Sequence, residues 1–107
     1  MDRNQITSLL TLVEQQYGRS KVFSNSLLFL TWIPDNALPT SIIFNHIDEE
    51  ISMFWDNGIM FLDVGLDKNK QYQYSGFHRA QAFENSGSLT NGLTPDIKQF
   101  LFKFSNL

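Results

Sequence analysis

The stretch EISMFWDNGIMFLDVGL, Glu50 to Leu66, restricts the fold more than any other part of the chain. Apolar residues alternate with others on both sides of an Asn-Gly pair, which is a two-stranded pattern rather than a helical one. Asn57 and Gly58 both tolerate positive φ, so the spacing predicts a type I′ hairpin with a two-residue loop. Trp55 then faces Met60, Phe54 faces Phe61, Ser52 faces Asp63 and Ile51 faces Val64. One face collects Ile51, Met53, Trp55, Met60, Leu62 and Val64 and is assigned to the core. The other collects Glu50, Ser52, Phe54, Phe61, Asp63 and Gly65, because a one-residue slip would mix the two sets.

Further strands are expected at SIIFN (41–45) and QYQYSGF (71–77), with HIDE as a turn. Residues 2–17 predict an amphipathic helix: Ile6, Leu9, Leu10, Val13 and Tyr17 share a face, Asp2 and Gln5 form a capping box, and Gly18 supplies an αL stop. The run from Lys21 to Pro39 reads as either a short helix or a buried strand. Residues 78–93 read as a long loop with a short edge strand around Ala80 to Phe83. Thr94 as N-cap, Pro95 at N1 and Ile97, Phe100, Leu101 and Phe104 on one face predict a C-terminal helix. The fold class is therefore α+β: an antiparallel meander of about four strands packed with terminal helices, in a single domain spanning 1–107.

Ten phenylalanines and a hydrophobic fraction of 42% suffice for a packed core. Cysteine is absent, which removes disulfides and thiolate metal sites and fits a reducing compartment. The N-terminus lacks the pattern of a signal peptide, and no apolar run reaches membrane-spanning length, so a cytoplasmic protein with no membrane partner is expected.

The net charge of −3 is unevenly placed. Residues 1–21 balance to +1 and residues 68–107 to +3, whereas residues 22–67 hold seven acids and no lysine or arginine. Such a field opposes nucleic acid and favours a basic partner. An RNA-stacking role for Phe54 and Phe61 is excluded on the same ground, since phosphates need cationic surroundings.

No catalytic signature is present. His46 and His78 lie outside any metal-binding spacing, no GxSxG elbow occurs, and the glycine-bearing segments match neither a P-loop nor a dinucleotide fingerprint. His46 with Asp48, Glu49 and Glu50 has the composition of a cation-binding turn, but a solvated hairpin tip accounts for it more simply. Neither enzymatic activity nor a cofactor or metal is expected.

Two readings of Phe54 and Phe61 fit the sequence. A terminal helix covers them, and the pair then adds about 0.5–1 kcal/mol as ordinary core. Alternatively the face is open, and two aromatic anchors rimmed by acids form a binding patch. Tyr72 and Tyr74 join that patch if the DKNK loop has an even number of residues, and the core if it is odd. Carboxylates beside aromatics suit an arginine-bearing partner.

The segment from Pro39 to Gly76, with DEEISMFWDNGIMFLDV followed by YQYSG, resembles the meander of small bacterial immunity proteins encoded beside polymorphic and contact-dependent growth-inhibition toxins. The likeness extends to the N-terminal helix and the proline-capped C-terminal one. It implies a cytosolic, non-enzymatic protein that binds a cognate toxin domain, often a nuclease, and blocks its active site or substrate groove. Binding positions differ between such pairs, so the sites come from the residues alone: Glu50, Phe54, Phe61 and Asp63 as contacts, with Asp48 and Glu49 as rim charges, on a protein expected to be monomeric. A secretion chaperone holding an effector segment, and a small-molecule domain using His46, His78 and buried carboxylates, are the alternatives.

Overall fold

The computed structural model describes residues 1–106. In chain order the elements are α1 (Arg3–Tyr17), α2 (Lys21–Thr31), a 3₁₀ turn (Asp35–Ala37), β1 (Ser41–Asn45), β2 (Glu50–Asp56), β3 (Met60–Leu66), β4 (Gln71–His78), β5 (Gln81–Ser88) and α3 (Pro95–Ser105). The five strands form one antiparallel sheet in the order of the sequence. The α+β class with helices at both ends is as the sequence indicates, with five strands rather than four.

Local chemistry explains the helices. At the start of α1 the Asp2 carboxylate accepts from the Gln5 amide at 2.8 Å and Gln5 Oε1 accepts from the Asp2 amide at 2.8 Å, the reciprocal box. Gly18 ends the helix with φ 112° and ψ 174°, a glycine conformation but not the expected αL one. The ambiguous stretch after it is a helix: Ser20 caps α2 by accepting from the Val22 amide, and Val22, Phe23, Phe29 and Leu30 are buried. Thr94 occupies the N-cap of α3, but its hydroxyl donates to the Tyr74 oxygen at 2.9 Å rather than capping the helix.

The β2–β3 faces are sorted as expected: Ile51, Met53, Trp55, Met60, Leu62, Val64 and Leu66 are all fully buried. At roughly 1.5–3 kcal/mol per large apolar side chain, this ridge is the main driving force on the sheet. The register, however, differs by two. Asp56 lies opposite Phe61, Trp55 opposite Leu62 and Phe54 opposite Asp63. The turn is longer than two residues because Asn57 is not in positive φ; its side-chain oxygen instead accepts from the amides of Ile59 and Met60, at 3.0 and 2.8 Å. Only Gly58 takes positive φ there, at 88°. A shift of two preserves which side chains share a face, which is why the face assignment survives the wrong pairing.

The second difference is β5. Where a loop with a short edge strand is expected, eight residues pair along the whole of β4, from His78 opposite Gln81 to Gln71 opposite Ser88. Arg79, at φ 57°, makes the tight connection.

All three helices lie on the core side. Tyr17 and Phe23, from α1 and α2, meet Phe44 of β1 at ring distances of 5.1 and 5.2 Å. Trp55 donates its indole N–H to the Ala37 carbonyl at 2.7 Å. Farther along, Phe83 of β5 meets Phe100 of α3 at 6.1 Å. Tyr72 and Tyr74 are in this core, since Leu66 pairs with Tyr72 across an odd loop of residues 67–71. Tyr72 donates to the Gly92 carbonyl and accepts from the Thr94 amide, and Tyr74 donates to the Asp96 carboxylate. No helix among the described residues is long and apolar enough to cross a membrane.

Candidate functional site

With the helices gathered on one side, the other face of the sheet is open, and the strand register arranges its side chains in rows. The first row runs Asp56, Phe61, Phe77, Ala82. The next runs Ser41, Phe54, Asp63, Ser75, Glu84, and the third Ile43, Ser52, Gly65, Gln73, Ser86. Phe61 and Phe77 are direct cross-strand partners with rings stacked at 5.6 Å and 19°. Phe54, one row on, is tilted against Phe61 at 6.3 Å. The three rings therefore form a continuous aromatic ridge across β2, β3 and β4. Phe54 and Phe61 are half-buried, while Phe77 is 41% exposed.

Beside the ridge the sheet holds a groove of about 710 Å³ that extends from β2 to β5. Four carboxylates line it: Glu50, Asp63, Asp67 and Glu84. The remaining polar lining is uncharged, including Asn69, Gln71, Gln73 and Asn85, and among the described residues no lysine, arginine or histidine contributes. Gly65 makes its floor. A Cβ at that position would lie 3.1 Å from Glu50 Oε1, so the Glu50 carboxylate reaches across the space a side chain would fill. Ser52 donates to the same oxygen at 3.4 Å.

Asp63 sits where ridge and groove meet. Phe54 is directly opposite on β2, Ser75 is opposite on β4, and Phe61 is two residues back on its own strand. Partial burial pushes its carboxyl above the ordinary aspartate range, with no hydrogen bond or cation among the described residues to offset it. The geometry thus offers a desolvated acceptor flanked by rings, suited to a donor supplied from outside.

Of the residues singled out from sequence, Glu50, Phe54, Phe61 and Asp63 share this face. Asp48 lies apart, exposed in the β1–β2 turn, where Asn45 donates to it at 3.1 Å. Glu49, in positive φ, faces the helical side. Its carboxylate accepts from the Tyr17 hydroxyl at 2.6 Å and pairs with Lys68 at 3.3 Å, and the Tyr17 hydrogen bond foremost lowers its pKa. His46 is in the turn and His78 at the end of β4, both outside the groove. No group of three or more His, Cys, Asp or Glu side chains among the described residues is arranged to hold a metal ion.

Phe77, Asp67 and Glu84 belong to the face without having been picked out by sequence. Period two along QYQYSGF places Phe77 opposite in sense to the tyrosines, so the parity of the preceding loop is the signal that would have found it. Glu84 was hidden with β5. Compared with protein-family models, curated proteins and solved structures, the chain matches none of them.

Proposed function

We propose that this protein is an immunity protein, acting in the cytoplasm, that binds and neutralises a cognate bacterial toxin domain, a nuclease, by laying its open sheet face over the toxin's active site or substrate groove. The observation that carries this reading is the combination on one uncovered face of three phenylalanines with a groove bearing four carboxylates and no cation among the described residues. A nuclease presents a cationic groove to phosphates, and an acidic face fills it as a mimic of the substrate and speeds association by steering. The aromatic ridge supplies the desolvated centre that such an interface needs. No step of covalent chemistry is assigned to the protein in this role.

The test is affinity capture from the native cell with the wild-type protein and a Glu50→Lys, Asp63→Lys variant side by side. The captured protein is then expressed alone and together with each bait. A stoichiometric partner that is toxic alone, rescued by wild type and not by the variant, is the expected result. A partner that is harmless alone, or one whose toxicity the protein leaves untouched, overturns the reading.

One observation favours a second reading. β5 is an eight-residue edge strand, which a secretion chaperone would use to hold an extended effector segment. Such a chaperone acts as a dimer, so sedimentation of the free protein separates it from a one-to-one inhibitor. The groove itself does not resemble a small-molecule pocket, because its lining is dominated by carboxylates and amides instead of apolar side chains.

A further inference from the structure

We propose that Asp63 is a specific arginine receptor: a guanidinium from the partner pairs with this carboxylate while lying against the phenylalanine ridge, whereas Glu50, Asp67 and Glu84 act only as steering charges. The inference rests on the open face being the partner surface, and it deepens that reading by separating one anchor from its charged surroundings.

The four groove carboxylates are not equivalent. Glu50 is exposed and accepts from Ser52, Asp67 accepts from the Asn69 amide at 2.8 Å, and Glu84 is exposed on the edge strand. Asp67 is half-buried as well, but it lies in the β3–β4 loop; Asp63 alone is central in the sheet and framed by Phe54 across the ladder and Phe61 along its own strand. The charge complementarity is one-sided, since the face supplies acceptors and rings but no cation among the described residues. An arginine satisfies both at once. Its planar fork gives a carboxylate two parallel hydrogen bonds and its flat surface stacks on a ring. A lysine offers a compact, strongly hydrated ammonium that gives up more solvation on approaching a half-buried site and makes no bidentate pair.

The experiment uses defined probes and needs no toxin. The full chain is titrated with acetyl-Gly-Gly-Arg-Gly-Gly-amide and with its lysine counterpart, following backbone amide shifts by NMR at low ionic strength. The expected result is perturbation centred on Phe54, Asp63 and Ser75, with the arginine peptide bound about five-fold tighter, as one added stacking and bidentate contact would give. Asp63→Asn should erase that preference, while Asp67→Asn, which removes the same charge from the same groove, should weaken both peptides alike. Phe61→Leu keeps an apolar side chain without a ring and should reduce the arginine affinity only. Equal affinity for the two peptides, or equal effects of the two aspartate variants, overturns the proposal and leaves diffuse electrostatics. Absence of shifts on this face also overturns it. Toxin capture and rescue decide the immunity reading separately, so the two can fail independently.

Discussion

Replacing Gly65 by alanine should stabilise the free protein while weakening its partner's hold, an opposition of sign that a purely structural glycine does not show. Gly65 lies in the interior of β3 with no positive φ, so an L-residue fits its backbone. The three heavy atoms nearest the new methyl would all belong to the Glu50 side chain, at 3.1 Å for Oε1, 3.3 Å for Cδ and 3.7 Å for Oε2. Glu50 is exposed and held by a single 3.4 Å hydrogen bond, so it can move aside at a cost of a few tenths of a kcal/mol. Against this, restricting the unfolded chain contributes about 0.4–1 kcal/mol. The net gain is about 0.5 kcal/mol. With roughly 2 cal/mol/K of unfolding entropy per residue over 107 residues, that raises Tm by about 2 °C. Gly76→Ala is the contrasting variant. Its methyl would run into the Phe61 carbonyl oxygen, which is backbone, so it should lose about 1–3 kcal/mol. Calorimetry and urea melts of both variants read the stability term. Binding to the captured toxin domain should fall about ten-fold for Gly65→Ala, since the added methyl raises the groove floor against the partner. A destabilisation of Gly65→Ala by about 1 kcal/mol, or unchanged binding, would refute the reasoning that the glycine serves the groove rather than the fold.

Asp63→Asn should also stabilise the free protein at neutral pH. Burial raises the folded-state pKa of Asp63, so folding favours its protonated form; its contribution is most favourable at low pH and is lost as pH rises through the folded value. Urea melts should therefore show the variant ahead at pH 7 by well under about 1 kcal/mol, given solvent screening at a half-buried site, and level with wild type by about pH 3. A gap that grows on acidification contradicts this. On the helical side, Tyr72→Phe should cost about 2 kcal/mol, because it leaves the Gly92 carbonyl and the Thr94 amide without their 2.8 and 3.1 Å partner beneath α3. Melts showing less than about 0.5 kcal/mol lost would mean that water replaces the hydroxyl freely.

The face pattern of β2 and β3 was legible because burying seven apolar side chains on one side outweighs any choice of turn. The pairing was not, because it depends on which amides Asn57 caps, and a side chain that bonds two amides lengthens the loop by two without changing which residues are inside. β5 was illegible for a different reason. QAFENSGS has one side facing solvent at a sheet edge and Phe83 as its sole large inward residue, so it carries no alternating apolar signal. Its strand character comes from eight cross-strand partners that only the folded β4 provides. The tyrosines turned on the parity of a polar loop, and propensity does not determine loop parity. Half of the candidate face was thus readable from one hairpin. Of the rest, Phe77 and Glu84 required the neighbouring strands, and Asp67 the loop that follows β3.

Why the aromatic face stays uncovered follows from area. Five strands at about 4.8 Å spacing make a sheet some 20–25 Å across, and three helices about 10 Å wide are enough to cover one side of it. Both helical ends of the chain are committed to that side through Tyr17–Phe44 and Phe83–Phe100, so among the described residues no further helix is left for the other. A face destined for water is served by residues such as Ser41, Ser52, Gln73, Ser75 and Ser86, and these do fill most of it. Phe54, Phe61 and Phe77 depart from that pattern, and so does an aspartate set among them. Cross-strand stacking returns only about 1 kcal/mol to stability, which β-branched residues would also supply. The rings meanwhile desolvate Asp63 with no partner of the protein's own among the described residues, an arrangement that works against the free fold. Three rings on the open side, one of them exposed and two half-buried, and an unpaired carboxylate among the described residues are thus individually poor choices for a solvated sheet. Together they become favourable once a cationic, planar group from another molecule closes the face.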